Sequence, residues 1–389
     1  MSKDISIKCI DCGTEFSISD GEQKFYKSKG FPLPKRCVDC REKNKIQYSE
    51  FKRKKSIEEF LNNNQIRNCT IEKNEIITNE KTLFVIGNGF DLAHGVKSSY
   101  YNFASTLGKR NSLRNALETY IMTDDLWGDF ENNLARINSS AMMNYDVLDL
   151  WLDNFDAYEE DSTIGNLYAA IDMAMGPLDV ITSELPRRFR MWVESLKVNC
   201  NETPFENLIV NSKVLCFNYT EFIENIYHVS RENVCYIHGC RCKEKYRPKE
   251  DLILGHIPKN FENEYDDEME KPPLHLDKGK SEFIDYIAMD IASKRLIWYD
   301  EATTKNCKEI IKAHNDFFSN TNKIDMVVVI GHSLSEVDWD YFSEIIKQNR
   351  NSKEIKWYIS YHSAGDLKRI VTFANVMSIS RNNLFVFEI

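Results

Sequence analysis

The body of this 389-residue chain contains seven short apolar segments, rich in β-branched residues, most of which end at small polar residues. These segments are TLFVIGNG at 82–89, KVLCFNYT at 213–220, NVCYIHG at 233–239, LILGH at 252–256, MVVVIGHS at 326–333, EIKWYIS at 354–360 and NLFVFEI at 383–389. Long helical patterns lie between several of them, as at 98–122. Because the segments are continuously apolar rather than alternating, they predict strands covered on both faces. We therefore expect an α/β fold with a doubly wound, mostly parallel, Rossmann-like sheet.

The other segments indicate how the chain is divided. Residues 46–80 contain a helical pattern followed by polar residues and predict a linker of helix and loop, so that the α/β domain spans 81–389. Mostly helical patterns at about 107–205 predict a helical insertion between the first two strands of this domain. The acidic, proline-interrupted region at about 257–300 predicts a variable loop region or a lid.

Two CxxC pairs near the start of the chain predict a zinc-binding module at 1–45. The pairs are Cys9 with Cys12 and Cys37 with Cys40, and 24 residues separate them. Zinc prefers four soft donors at tetrahedral angles, and each CxxC turn supplies two thiolates. Four protein ligands leave no open position, so we expect a structural ion that stabilises this short segment. A small core behind the ion is expected from four aromatic residues: Phe16, Phe25, Tyr26 and Phe31.

The formal charge of -10 is unevenly distributed along the chain. Residues 1–58 hold 14 Lys and Arg against 9 Asp and Glu, a balance of +5, which leaves -15 for the remaining residues. Lys35, Arg36, Arg41 and the run KRKK at 52–55 would suit a nucleic-acid or protein partner of the zinc module. The alternative is a solvated surface, which is the more common role of a charge run.

The chain has no long apolar segment. Its purest apolar run, Met326 to Ile330, is far shorter than the roughly 20 residues that a membrane span requires, and the first residues carry no apolar leader. Eleven cysteines, four of them in CxxC pairs, favour metal binding over disulfides and therefore a reducing compartment. We expect a cytoplasmic protein without a membrane partner, and we leave a homo-oligomer open.

Glycines and polar residues follow the first predicted strand, at the edge where an open parallel sheet binds its ligands. They are Gly87, Asn88, Gly89 and Asp91. Glycines let a ligand approach the backbone, and amides at a helix start attract phosphate, so this turn suits nucleotide binding. The spacing departs from the dinucleotide fingerprint G-x-G-x-x-G. A tight strand-to-helix turn with Asp91 as a helix cap is the alternative.

Later strand ends carry groups that can do chemistry. Asn218 and His238 end neighbouring predicted strands, and an imidazole is suited to general-base catalysis near neutral pH. The alternative for His238 is a buried histidine satisfied by backbone carbonyls. Glu131, in the segment LWGDFEN, is an outside candidate for a catalytic carboxylate. The chain that follows the predicted strand at 326–333 contains candidates for phosphate and ribose contacts or for helix capping. They are Gly331, Ser333 and Asp338.

Several blocks together resemble the bacteriophage abortive infection protein AbiH family. The blocks are LFVIGNGFDLAHGVKSSYYNF, WGDFENNL, VLCFNYTEFIENIY, VCYIHG, LILGH and VIGHSLSEVDWDYF, and they span most of residues 81–345 in this order. The resemblance implies a prokaryotic antiviral role, in which an infected cell halts before the phage matures. The first 45 residues are similar to treble-clef or zinc-ribbon modules through CxxCG, GEQKFY, KGF and PKRCxxCR.

The same blocks are more distantly similar to the sirtuin-like superfamily, which implies NAD as substrate or ligand and cleavage to nicotinamide and ADP-ribose. By this resemblance Asn218 positions the nicotinamide ribose or a water, and His238 acts as the base. The resemblance implies that Gly87, Asn88 and Gly89 bind the pyrophosphate. It implies that Ser333 and Asp338, with Gly331 in the same turn, contact the adenosine side. Thr220 stands where sirtuins have an aspartate, and the Gly-Ala-Gly pattern is missing, so protein deacylation is disfavoured.

Two other functions stay open at this point. In the first, the zinc module guides a nuclease or RNA-processing enzyme to nucleic acid. In the second, the sheet senses a nucleotide without turnover and signals to a partner.

Overall fold

The computed structural model describes residues 4–71, 75–139, 142, 163–198, 203–241, 251–258 and 280–389. The chain divides into two compact units. One contains residues 1–66 together with 363–368, and the other contains residues 67–362 and 369–389.

The first unit is a hairpin with two helices. Strands β1 (Ile5–Lys8) and β2 (Glu15–Ile18) pair antiparallel, followed by helices α1 (Asp20–Ser28) and α2 (Val38–Asn64). Ser19 and Glu22 form a capping box at the start of α1, and α2 ends where Gln65 turns left-handed at φ 53°. The predicted module boundary at residue 45 lies inside α2.

The small aromatic core predicted for this unit is wrong. Phe25 and Phe31 are exposed, while Phe16 and Tyr26 are only half-buried. The buried side chains of this unit include Cys9, Ile18, Ile57 and Leu367 instead. A hairpin and a short helix form too thin a layer to enclose four rings, so apolar burial alone does not hold this unit together.

The second unit is built on a seven-stranded sheet in which every neighbouring pair is parallel. Its strands are β3 (Arg67–Cys69), β4 (Thr82–Ile86), β5 (Lys213–Cys216), β6 (Val234–Tyr236), β7 (Met326–Ile330), β8 (Lys356–Tyr361) and β9 (Leu384–Glu388). Their spatial order is β3-β9-β8-β7-β4-β5-β6. Without β3, this is the doubly wound Rossmann order, which reverses direction between β4 and β7. The predicted fold class is confirmed.

Helices fill the connections between these strands. They are α3 (Asn88–Ala93), α4 (Tyr100–Leu107), α5 (Ser112–Tyr120), α6 (Phe130–Leu134), α7 (Thr163–Ser195), α8 (Phe222–Tyr227), α9 (Lys280–Thr303), α10 (Cys307–Ala313), α11 (Asn315–Ser319), α12 (Trp339–Gln348) and α13 (Ala364–Val376). The helices α5, α6 and α7 fall in the predicted insertion, whose residues 140–141, 143–162 and 199–202 lie outside the described residues. Among the described helices, none combines the length and the apolarity needed to cross a membrane.

Three segments differ from the sequence expectations. Residues 252–256 do not form a strand, since only His256 makes an isolated bridge, to Thr304. The short strand β3 replaces the end of the predicted linker. The helix α9 covers residues 280–300 of the predicted loop or lid, because residues such as Ala292, Leu296 and Tyr299 recur at helical spacing and are buried. Residues 259–279 lie outside the described part.

The core lies on both faces of the sheet. Residues 83–86 of β4 are completely buried, as a strand sandwiched between helices must be. On one face, Phe84 and Ile86 join a cluster with side chains of α4, α5 and α7. On the other face, Phe342 of α12 contacts Trp357 of β8 and Phe373 of α13. This packing fixes the positions at which the strands end.

Candidate functional site

Four neighbouring strands, β7, β4, β5 and β6, end on one row of the sheet. In the strand register, Ile86 of β4 pairs with Cys216 of β5 and with Ile330 of β7, and Cys216 pairs with Tyr236 of β6. The next residues of all four strands therefore leave the sheet along one edge, at the place where ligands bind in doubly wound folds. We call this edge the rim.

Two glycine turns at the rim pack directly against each other, across the point where the strand order reverses. The amides of Gly87 and Gly89 donate to the carbonyls of Ile330 (2.9 Å) and Gly331 (2.7 Å). A Cβ atom on Gly87 would lie 2.5 Å from the His332 Cα, and one on Gly89 would lie 2.6 Å from the Gly331 Cα. These two glycines are thus required by packing, and their predicted phosphate contacts stay a prediction.

Asp91 lies in a buried polar cluster after β4 and β5, which we call the Asp91 cluster. Its carboxylate accepts hydrogen bonds from Asn218 Nδ2 (2.8 Å) and Thr220 Oγ1 (2.7 Å). Burial raises the pKa of Asp91 to about 7, although both hydrogen bonds act in the opposite direction. The carboxyl group links the ends of two strands rather than capping α3.

A second buried cluster, the Lys305 network, brings together ionisable side chains from six parts of the chain. Lys305 Nζ, which is fully buried, donates to Glu131 Oε2 and to Asp338 Oδ1 (3.2 Å). Tyr100 donates to the other Glu131 oxygen at 2.6 Å. The imidazole of His238 lies 3.7 Å from Asp338 Oδ1, at the same rim.

The second oxygen of Asp338 faces another histidine. His332 Nε2 lies 3.4 Å from Asp338 Oδ2, while its Nδ1 accepts the amide proton of Leu334 at 2.9 Å. The main chain thereby sets the tautomer, with the Nε2 proton directed at Asp338. Leu334 has a φ of 54°, which is uncommon for a non-glycine residue and indicates a tightly constrained turn.

The charges of the Lys305 network shift the pKa values of its members in different directions. Burial alone would raise the pKa of Asp338, but Lys305 and then His332 hold it well below its ordinary range. Burial alone would lower the pKa of Lys305, but Asp338 and Glu131 raise it above its ordinary value. Burial raises the pKa of Glu131 against the attraction of Lys305. Lys305 is therefore a cation shared by two carboxylates of different acidity.

His238 is an uncharged base in these surroundings. Burial, followed by repulsion from Lys305, lowers its pKa well below the ordinary value for histidine. Its Nε2 atom lies 3.3 Å from the Tyr341 hydroxyl and close to Asp338. A neutral imidazole beside a carboxylate can accept a proton and be stabilised when it becomes charged. Only 3% of the residue is exposed.

The rim brings together some predicted site residues and separates others. Asn218 hydrogen-bonds within the Asp91 cluster, whereas His238 belongs to the Lys305 network, and their predicted catalytic roles stay a prediction. Asn88 and Ser333 are exposed, so they remain candidates for a ligand contact. Asp338 makes no capping hydrogen bond to α12 and is turned toward Lys305.

Some residues of the site could not be found by sequence reasoning. Lys305 lies in the polar stretch EATTKNCKE, whose composition is typical of a solvent-exposed segment. Tyr100 and Tyr341 lie in helical patterns where an aromatic residue usually indicates core packing. Glu131 was the outside candidate, and it follows the buried Phe130, which stacks on Trp127 at a ring separation of 5.1 Å.

A cavity of about 580 Å³ runs along the outer side of β6. Ile237 and Gly239, on either side of His238, line it together with Tyr236, Arg231 and Phe317, but the His238 imidazole does not. Its volume suits a small ligand. The rim residues Gly87, Asn88, Asn218 and Ser333 are not among its lining residues.

Four cysteines of the first unit form the candidate metal centre. Cys9 and Cys12 lie in the β1–β2 connection, Cys37 is the N-cap of α2 and Cys40 lies in its first turn. All four sulfur atoms lie within 4.8 Å of one another, and the Sγ atoms of Cys12 and Cys37 are 3.7 Å apart. Zinc–sulfur bonds of about 2.3 Å at tetrahedral angles require sulfur separations of about 3.8 Å. The predicted zinc ligands therefore come together as expected.

The electrostatics of these cysteines also fit a divalent cation. The backbone amide of Cys12 lowers the pKa of the Cys9 thiol to about 6. The hydrogen bond to Cys37, the neighbouring thiol of Cys12 and burial raise the pKa of the Cys40 thiol to about 12. A zinc ion bound here would supply the charge that allows all four to be thiolates together, and the closed set of four ligands would make it a structural ion.

Comparison with known families agrees with this geometry. The family model "Bacteriophage abortive infection AbiH" matches residues 83–361, which include all but the first residue of β4, the strands β5 to β8 and the whole Lys305 network. The model "Probable treble clef domain" matches residues 3–48, with all four cysteines. No curated protein and no solved structure matched the chain. The likeness to sirtuin-like proteins rests on the sequence blocks alone and stays a prediction.

Proposed function

This chain belongs to the bacteriophage abortive infection AbiH family, and on that premise we propose that its α/β body stops phage infection by cleaving NAD to nicotinamide and ADP-ribose. The observation that carries the proposal is the placement of His238, as an uncharged base beside Asp338, at the rim of a Rossmann-ordered sheet. Dinucleotides bind at the corresponding edge of such sheets.

The chemistry requires a base but no redox step. Water attacks C1′ of the nicotinamide ribose while the bond from C1′ to the nicotinamide nitrogen breaks. The bonding electrons go to the pyridinium ring, which leaves as neutral nicotinamide. The water proton passes to His238, and Asp338 stabilises the imidazolium that results. Asn88 and Ser333, whose side chains are exposed, are the proposed contacts to the dinucleotide.

The burial of His238 fits a protein that must be silent before infection. Continuous NAD cleavage would kill an uninfected cell, and a base that is only 3% exposed has no room for a substrate. We therefore propose that this structure is the resting state and that infection opens the rim. The buried network around Lys305 holds the resting state closed.

Nicotinamide release by the purified full-length protein tests this function. The protein is incubated with NAD alone and with lysate from phage-infected cells, and the wild type is compared with His238→Ala. We expect release with infected lysate and a loss of at least about 100-fold in the variant, as for removal of a general base. His362→Ala, which changes an exposed histidine away from the Lys305 network, is the matched control.

Three results would each overturn the proposal. They are no nicotinamide release under either condition, equal release by His238→Ala, and NAD binding without turnover. The last would favour a nucleotide sensor.

A further inference from the structure

The middle of α2 is exposed around its whole circumference. Every residue from 42 to 52, about three helical turns, is exposed. This stretch includes large side chains that a solvated helix does not need, with Tyr48 at 61% and Phe51 at 62% exposure. A helix that is bare on all sides offers a free surface to a partner.

One face of this helix is basic. Arg41, Lys45, Tyr48, Lys52 and Lys55 follow one another at intervals of four, three, four and three residues, so they form a single stripe, which we call the basic stripe. The ammonium group of Lys52 lies 4.8 Å from the centre of the Tyr48 ring.

The acidic residues of α2 are kept away from the basic stripe. Asp39, Glu42, Glu50 and Glu58 lie on other faces of the helix. Only Glu59 falls in line with the stripe, at its far end, where it pairs with Lys55 at 3.8 Å. A surface exposed merely for solubility usually mixes both signs of charge, so this separation points to an anionic partner.

We propose that the basic stripe binds the phosphate backbone of duplex DNA, with α2 lying in the major groove. The stripe is about 21 Å long from Arg41 to Lys55, and a helix about 10–12 Å in diameter fits a groove about 12 Å wide. Groove walls flank a helix on both sides, which requires the all-round exposure of residues 42–52. The major groove of A-form RNA is too narrow to admit a helix.

The apolar side chains argue against a helical protein partner. Ile46 and Phe51 are both exposed, but they lie five residues apart and therefore about 140° apart around the helix. A partner helix or an apolar groove needs residues at intervals of three and four on one face. Among the exposed residues 42–52, Ile46 and Phe51 lack this spacing, whereas Lys45, Tyr48 and Lys52 have it. DNA binding by this stripe does not depend on NAD chemistry at the rim.

Fluorescence anisotropy with the zinc-loaded full-length protein tests the proposal. The probe is a duplex DNA of about 20 base pairs, titrated between about 50 and 200 mM salt. Lys45→Glu/Lys52→Glu should weaken binding at least about tenfold and reduce the slope of log K against log salt by about 2. Lys43→Glu/Lys54→Glu changes the charge of the same helix equally on its other side and should stay within about threefold of the wild type.

Four outcomes would overturn the proposal. The first is no binding of duplex DNA by the wild type, and the second is an equal loss in both double variants. The third is tighter binding of a duplex or single-stranded RNA of the same length. The fourth is salt-independent binding, which indicates contacts other than phosphates. Circular dichroism and zinc content, unchanged in both variants, verify that α2 is still folded.

Discussion

Lys305 explains why so many ionisable groups can be buried at the rim. A fully buried ammonium group has lost its hydration, which costs several kcal/mol unless partners compensate. Here two carboxylates share it, one from α6 and one from the turn before α12, and Tyr100 satisfies a further oxygen. Burial lowers the pKa of His238 most, and repulsion from the same cation lowers it further. Lys305 therefore compensates the two buried carboxylates and adds to the effect of burial on the pKa of His238.

Replacing Lys305 should strongly destabilise the folded chain. Lys305→Met leaves Glu131 and Asp338 buried without their counter-charge, and we expect a loss of about 3–5 kcal/mol in the free energy of unfolding. Chemical denaturation measures this value. Lys308→Met, which changes an exposed lysine three residues away, should change it by less than about 0.5 kcal/mol. A loss below about 1 kcal/mol for Lys305→Met would mean that the network is not formed.

Asp91 gives the stability of the chain a pH dependence with a definite sign. The pKa of its carboxyl is about 7 when folded and about 3.9 when unfolded, so the folded state keeps its proton to higher pH. The contribution is fully present below about pH 4 and is lost as the pH rises through about 7, on the order of 4 kcal/mol in all.

The variant Asp91→Asn isolates this contribution. An amide can still accept from Asn218 and donate to Thr220, so both hydrogen bonds are kept. The stability of the wild type relative to Asp91→Asn should fall between about pH 4 and pH 8, as measured by denaturation at each pH. Asp316→Asn, an exposed carboxylate, serves as the control. Parallel pH profiles for the wild type and Asp91→Asn would contradict the burial of this charge.

Most site residues at the rim were predicted from the strands that precede them. His238 and Asp338 were candidates because a strand, followed by a turn, exposes its last residues at the rim, and the structure places them 3.7 Å apart. Their partner Lys305 follows a helix in a polar stretch, where local sequence gives no sign of burial. The pairing of Asn218 with Asp91, rather than with His238, depends on side-chain directions that spacing does not reveal.

At the scale of elements, the contact between two turns fixes the centre of the sheet. The turns after β4 and β7 share two backbone hydrogen bonds. Gly331 has a φ of 67°, and any side chain there would run into the Phe90 nitrogen. Such close contact fixes the relative positions of the two strands on either side of the reversal in strand order.

Gly331→Ala should therefore be among the most damaging small substitutions. Positive φ and overpacking together should cost about 3 kcal/mol or more in the free energy of unfolding. Gly176→Ala is the matched control, because a Cβ atom there meets nothing within 4 Å inside the helix α7. It should raise stability by about 0.5–1 kcal/mol. Equal effects of the two changes in thermal unfolding would contradict the packed turns.

Most strands were predictable, but their order and partners were not. The predicted segments at 82–89, 213–220 and 326–333 contain β4, β5 and β7, because fully buried strands are continuously apolar. The equally apolar 252–256 does not form a strand, since Gly255 packs against the Thr303 carbonyl instead of pairing in the sheet. Strand order depends on contacts between segments that are distant in the sequence. The hydrophobic periodicity of each segment gives no information about such contacts.

At the scale of the whole molecule, the chain combines two units that are stabilised by different interactions. The unit of residues 67–362 and 369–389 has a large apolar core on both faces of its sheet. The unit of residues 1–66 and 363–368 buries few side chains, and its four sulfur atoms fit one zinc ion. Removal of the metal should therefore affect the two units differently.

Zinc removal should unfold the first unit while the sheet persists. The purified chain should contain one zinc ion, measured by elemental analysis, and Cys37→Ser should lose it. Hydrogen exchange should then become fast in residues 1–66 and stay slow in β4 and β7. Cys69→Ser, a cysteine outside the cluster, should keep both the metal and the protection. Full zinc content in Cys37→Ser would show that this cysteine is not a ligand.

The proposed function is tested most directly by the NAD content of cells during infection. Cells carrying the wild-type protein are infected with a phage against which it protects, and NAD and nicotinamide are measured through one infection cycle. NAD should fall and nicotinamide should rise before lysis, and cells carrying His238→Ala should show neither change and lose protection. Protection by the wild type with constant NAD, or full protection by His238→Ala, would contradict the proposal that this histidine cleaves NAD.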